Sequence, residues 1–197
     1  MPPSYKFTKK EITAAALKIA RSEGMKGITA RAVAAELGAS SKVIFGSFEN
    51  MQALLNEVIQ AAQDVHQDAM LAAMSEGKYP AYKASGMAYI QFARDEKELF
   101  KILYMRDRQG RTPSAAQDRE AVQPMLEVLC RNTGLSEDKA YTLHLELWLF
   151  VHGIASMIAT SFLDWDEEFI SQALTDVYLG LKYRFCEEEE DSGSHQD

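Results

Sequence analysis

Cysteine is almost missing: Cys130 and Cys186 are the only two in 197 residues. Two distant thiols give neither a disulfide framework nor spaced metal-ligand pairs. A reducing, cytoplasmic compartment is therefore the expectation. No apolar run approaches the roughly 18 to 20 residues that a membrane helix needs. The basic start, Met1 to Lys10, has no apolar stretch behind it, so no signal peptide is expected. Sustained alternation of β-branched residues is also lacking, which argues against strands. A phosphate loop, a nucleophile elbow and a paired His-Glu metal motif are all absent, so neither an enzyme nor a cofactor is expected.

What remains is helix-forming. The chain is 47% hydrophobic and 25% charged, the balance of a globular protein with a sizeable core. Thr8-Lys9-Lys10-Glu11 reads as a capping box opening a first helix. Ile12, Ala15, Ala16, Ile19 and Ala20 continue it at helical spacing, and Gly24 stops it. A second helix follows Thr29 and runs to Gly38. Ser40 is expected to cap a short third through about Phe45, and Asn50 a long fourth reaching toward Glu76. Further helices are predicted at roughly 81–94, 96–106, 114–132, 137–163 and 167–186. Asp95, Ser114, Ser136 and Asp164 stand as N-caps, and Gly134 as a terminator. Gly110-Arg111-Thr112-Pro113 is the most loop-like internal stretch. The acidic end, 187–197, reads as a disordered tail. Asp164, Asp166, Glu167 and Glu168 cluster, but acids favour helix starts for dipole reasons alone. The fold class is all-α, with about nine helices.

Charge is distributed unevenly. The net charge is −8, yet residues 1–50 carry eight Lys or Arg against four Glu, or +4, and the remainder carries −12. A basic head on an acidic body suits a phosphate-binding module, because the local field matters more than the total. The same segment holds the pattern of a helix-turn-helix, which needs small residues inside a short first helix, a tight turn, and a second helix free to enter the major groove. Ala34 allows close packing, Leu37 reaches the core, and Gly38 supplies the left-handed turn. Val43, Ile44 and Phe48 would hold the reading helix down. Ser41, Lys42 and Phe45 then face outward with Arg31.

The run Gly27-Ile28-Thr29-Ala30-Arg31-Ala32-Val33-Ala34-Ala35-Glu36-Leu37-Gly38-Ala39-Ser40-Ser41-Lys42-Val43-Ile44-Phe45-Gly46-Ser47-Phe48, with Asn50 and Leu54 beyond, resembles the TetR family of one-component transcriptional regulators. The match covers about residues 8 to 55. Leu147-Trp148-Leu149-Phe150-Val151-His152-Gly153 is similar to a Trp…His-Gly segment of one branch of the family's C-terminal domains. The resemblance implies an N-terminal three-helix DNA-binding domain (1–50), a larger effector-binding and dimerisation domain (51–186) and the tail. It also implies a homodimer whose reading helices enter successive major grooves of a palindromic operator. Arg31, Ser40, Ser41, Lys42, Phe45 and Ser47 are the expected DNA-binding residues. Phe45, Ser47 and Met51 depart from the family pattern of a Tyr, a His and a Lys, which thins the phosphate contacts. Lys42 stands where a small residue is usual and restores one charge.

In the body, 137–163 is apolar nearly all round and must be buried on several sides. Ile170, Leu174, Val177 and Leu181 form a cleaner stripe on the last helix and, with the resemblance, read as the dimer interface. A monomer that packs both helices inside itself is the alternative. Met87, Tyr89, Phe92, Tyr104, Met105, Trp148 and His152 are the expected lining of an apolar effector pocket, although residues of these types are more often ordinary core. His144, Trp148 and His152 share one helix face. The two histidines are eight apart with no third ligand evident, so a hydrogen bond from His152 is favoured over a metal. The expected function is thus a repressor released by a hydrophobic small molecule. The alternative is a helical ligand-binding or adaptor protein that keeps the fold and has lost operator binding.

Overall fold

The computed structural model describes residues 7–107 and 115–193, with backbone alone at 115, 116, 118 and 188–193. Among the described residues the chain is all-α, with nine helices and no strand. They are α1 (Lys9–Gly27), α2 (Ala30–Glu36), α3 (Lys42–Ser47), α4 (Met51–Glu76), α5 (Ala81–Asp95), α6 (Lys97–Tyr104), α7 (Ala115–Thr133), α8 (Glu137–Ala159) and α9 (Glu167–Gly193). The expected Ser114 cap, the Gly110–Pro113 loop and the last four residues of the acidic end lie outside the described residues.

Two compact units emerge. The first takes in the chain as far as Ala69 together with Phe92–Arg106, and the second takes in Met70–Gln91 and the chain from Asp107 onward. In the first, α1 packs on α2 and α6, and α2 on α3. The capping box is complete: Glu11 N–H donates to Thr8 Oγ1 at 3.2 Å, and Thr8 N–H donates to Glu11 Oε2 at 2.7 Å. Thr8 Oγ1 also donates to Glu11 Oε2 at 2.8 Å, and the backbone and hydroxyl donors of Thr8 together hold the Glu11 pKa below the ordinary value. Ile12, Ala16 and Ala20 bury the inner face. Gly24 breaks the helical path at φ 66°, and one further turn continues to Gly27. At Gly24 a Cβ would lie 2.9 Å from Glu98 Oε2, so α6 approaches α1 closely there. Arg21 Nε donates to both oxygens of Glu96 at 2.9 and 3.0 Å, which ties the start of α6 to α1.

Beyond α3, caps depart from expectation at α6, α8 and α9. α6 begins after Glu96 rather than Asp95, and Glu96 makes no side-chain cap. Ser136 occupies the N-cap of α8, also without a side-chain bond. α9 is capped by Asp166, whose Oδ1 accepts from Phe169 N–H at 2.7 Å. Asp164 instead accepts from Trp165 N–H. A carboxylate three residues ahead reaches the free N–H groups of the first turn; one five residues ahead does not. Asn50 does cap α4, accepting from Ala53 N–H at 2.9 Å.

The second unit is organised by α8, which packs on α7 and α9. Leu129, Leu135, Ala140, Leu143, Leu147 and Phe185 form a buried cluster, joined by Tyr82, Val177, Tyr178 and Leu181. Gly86 lets α5 lie close: a Cβ there would meet Leu174 Cδ2 at 3.0 Å and Val151 Cγ2 at 3.5 Å. α8 ends at Ala159, short of the expected 163, because the chain turns through Thr160 and Ser161, the latter at φ 56°. Gly134, at φ 77°, separates α7 from α8 as expected. The backbone of α9 stays helical to Gly193, past the expected end at Cys186.

One exclusion is corrected. α8 is long and apolar enough to cross a membrane by length and composition alone. The expectation rested on uninterrupted apolar runs, and averaging over a window tolerates the polar residues that break them. Eight residues of the helix, from Ala140 to Ala159, are nevertheless buried inside this chain, as a central core helix requires.

Candidate nucleic-acid interface

The helix-turn-helix is assembled from short-range choices. Thr29 Oγ1 accepts from Ala32 N–H at 3.1 Å and opens α2. Val33 and Ala34 are buried, so α2 sits close against α1. Gly38 takes φ 61° with open space around it, and Ala39 N–H closes the turn on Ala34 O at 2.9 Å. α3 then starts at Lys42, one residue later than expected. Ser41 occupies the N-cap and makes no side-chain bond, so Ser40 does not cap the helix. Both serine hydroxyls are exposed, and neither is tied to the backbone of α3.

Ile44 and Phe48 are fully buried and fasten α3 to the domain. Arg31, Ser40, Ser41, Lys42 and Phe45 are all exposed, while Ser47 is half-buried. The expected DNA-contact set is therefore displayed, apart from partial cover of Ser47. Electrostatics separate these cations from their neighbours. Lys18 pairs with Glu36 at 2.6 Å, and Arg21 pairs with Glu96. Lys9 lies over the Phe48 ring, 5.3 Å from its centroid. Neither Arg31 nor Lys42 makes an ion pair among the described residues. Their charges stay available to a phosphate or a base edge.

A second pattern was only half legible in the sequence: three tyrosine hydroxyls each meet a histidine Nδ1. In the first unit Tyr104 Oη lies 3.1 Å from His66, whose ring also meets Phe92 edge-on at 4.7 Å. Burial alone pushes the His66 pKa down to about 4, so the ring is neutral at pH 7. In the second unit Tyr82 meets His144 and Tyr89 meets His152, both at 2.9 Å. Burial also lowers the His152 pKa and raises that of Tyr82. Trp148 stacks on His152 at 4.9 Å and 16°. The expected effector set thus divides by unit. Phe92 and Tyr104 surround His66 in the first, with Met105 exposed at the end of α6, while Met87, Tyr89, Trp148 and His152 belong to the second. His66 and Tyr82 were missed. His66 had a signal, since Leu54, Val58, Ala62 and His66 recur every four residues on one face of α4.

Residues 12–58 match the family of bacterial regulatory proteins of the tetR type, and residues 82–177 match the Tetracyclin repressor-like C-terminal domain. Both halves agree. This chain belongs to the TetR family. It is a transcriptional regulator built on that family's DNA-binding helix-turn-helix. A protein of unknown function from Rhodococcus sp. RHA1 shares the fold at a TM-score of 0.66 and 21% identity, over 94% of this chain and all of that one. A transcriptional regulator from Rhodococcus sp. Rha1 does so at 0.59 and 18%, over 91% and 98%. No curated protein matches the sequence.

In this TetR-family chain the α9 residues expected at a dimer interface face inward. Ile170 and Leu174 are 1% and 7% exposed, and Val177 and Leu181 pack on the protomer's own cluster. The cleaner stripe is the one that fills the protomer. The opposite faces carry exposed apolar residues: Leu149 and Met157 on α8, and Phe169, Leu179 and Tyr183 on α9. Gly153 and Gly180 lie on those faces, with nothing within 4 Å of an added Cβ.

Proposed function

We propose that this regulator is a cytoplasmic homodimeric repressor that binds a palindromic duplex operator and lets go when a hydrophobic small molecule binds. The carrying observation is the exposure of Arg31, Ser41, Lys42 and Phe45 on the helix-turn-helix, with neither cation in an ion pair among the described residues. Arg31 would pair with guanine or anchor a phosphate, and Lys42 would neutralise a phosphate. Ser40, Ser41 and Ser47 supply short hydroxyl contacts. The exposed faces of α8 and α9 support self-association, since Leu149, Leu179 and Tyr183 are 62%, 55% and 66% open to water. Contiguous exposed apolar surface marks an interaction site. Release would follow from an effector that binds better to a state whose reading helices no longer match the groove spacing. Operator affinity then falls by the coupling free energy.

We place the effector at the group in the second unit, Met87, Tyr89, Trp148 and His152; Phe92, Tyr104 and Met105 belong to the first unit. His152, whose pKa burial lowers, lies among apolar and aromatic side chains and favours an uncharged ligand. With Trp165 changed to Phe, a ligand near Trp148 should alter its fluorescence and raise the melting temperature by mass action. A hydrophobic library that neither stabilises the protein nor frees it from DNA would contradict this part. A ligand-binding protein that has lost operator binding is the contrary reading, drawn from Phe45, Ser47 and Met51, of which only Ser47 keeps a short donor where the family contacts phosphate. Salt-dependent, sequence-selective duplex binding separates the two.

A further inference from the structure

Phe45 is out of place on α3. Of the helix's apolar side chains, Ile44 is buried and Val43 half-buried, and Phe48 just beyond is buried. Phe45 is turned the other way and is 53% exposed. Ser41 and Lys42, four and three residues earlier, share its helix face and are exposed too. A ring on this face adds nothing to the domain's core. It can make no hydrogen bond to a phosphate either, so an anchoring role is closed to it. The groove that α3 would enter offers one apolar feature that distinguishes a base, the C5-methyl group of thymine, with the same methyl on 5-methylcytosine.

We infer that Phe45 packs on pyrimidine 5-methyl groups in the major groove, so that each operator half-site favours a methylated pyrimidine beneath its ring. Lys42 brings the helix to the backbone through sequence-independent charge. Phe45 adds a preference of its own by burying a methyl against its ring. The inference rests on the operator-binding reading, and its test is built so that the two fail differently.

The probe is the duplex that the wild-type chain selects from a random pool. It is remade with deoxyuridine for each thymidine in both half-sites, or with deoxycytidine and 5-methyldeoxycytidine compared where a C·G pair is selected. Burying one methyl is worth about fourfold in affinity. Removing it from two symmetric half-sites should therefore weaken binding about 15-fold at one position, with unselected duplex unaffected. Phe45→Ala should bind the methylated and unmethylated duplexes alike, and Phe45→Leu should keep part of the preference. Because the side chain is exposed, both variants should melt like the wild type. A chain that selects its duplex but ignores the methyl groups overturns the inference and leaves operator binding intact. A methyl preference that survives Phe45→Ala also overturns it, since another residue must then read the methyl. A chain that selects no duplex at all overturns the operator reading itself.

Discussion

Tyr89 and His152 meet at 2.9 Å between α5 and α8, and the His152 ring lies flat on Trp148. Seven residues earlier on α5 and eight earlier on α8, Tyr82 meets His144 in the same way. The two pairs advance together along both helices, so α5 and α8 run in the same direction where they are bridged. Removing one hydroxyl leaves a ring nitrogen short of a partner. Tyr89→Phe should cost about 1 kcal/mol of stability, read from urea melts. An unchanged midpoint would mean the pair contributes nothing to holding α5 on α8.

His66 gives the fold a pH dependence of definite sign. Its folded pKa, about 4, lies below the ordinary 6.5 because burial disfavours the charged form. Above pH 6.5 neither folded nor unfolded chain carries the proton, and the stability is fully present. Between 6.5 and about 4 the unfolded chain takes up a proton that the folded chain refuses. Stability should therefore drop through that window, by about 1.4 kcal/mol per pH unit at most, and level off below it. Urea melts of the wild type and of His66→Leu at pH 7.5 and 5 measure this. Equal pH slopes in the two proteins would show that His66 is not the group responsible.

Gly24 and Gly38 separate two costs of a side chain. Both have positive φ, 66° and 61°, but only Gly24 faces a neighbour, the Glu98 carboxylate. Gly38→Ala should cost about 1–2 kcal/mol from the left-handed backbone alone. Gly24→Ala should cost more, because ψ −168° puts Gly24 in a region that essentially only glycine adopts, while the carboxylate end can swing aside. Chemical denaturation compares them, and a much larger loss at Gly38 would reverse the assignment.

The outward faces of α8 and α9 predict the assembly. Leu149→Glu with Leu179→Glu should leave a folded chain that sediments as a monomer and binds operator weakly. Leu174→Glu should instead unfold the chain, because it buries a charge in the protomer's own interior. Sedimentation and circular dichroism together distinguish these, and a surviving dimer in the double variant would move the interface elsewhere.

These residues show what the sequence made legible. Local signals were readable: the Thr8–Glu11 box, the Asn50 cap and the Gly38 turn depend on neighbours within a few positions. The helix-turn-helix could be read because its two helices are joined by one short turn. The direction of a long helix's apolar stripe was not legible, since a stripe that fills the protomer and one that covers a partner have the same spacing. Ile170 and Leu174 therefore looked like interface. Tyr82 and His66 escaped because their partners lie 62 and 38 residues away, and no local rule links them.

Operator binding by the cations of the helix-turn-helix is the central claim, and the salt dependence of duplex binding tests it most directly. Affinity for the selected duplex would be measured by fluorescence anisotropy across salt concentrations, for the wild type, Arg31→Ala and Lys42→Ala. Arg31→Ala should weaken specific binding by about 1–3 kcal/mol. Lys42→Ala should lower the salt slope by about one unit for each phosphate left without its cation. Unchanged affinity and an unchanged slope in both variants would contradict the account.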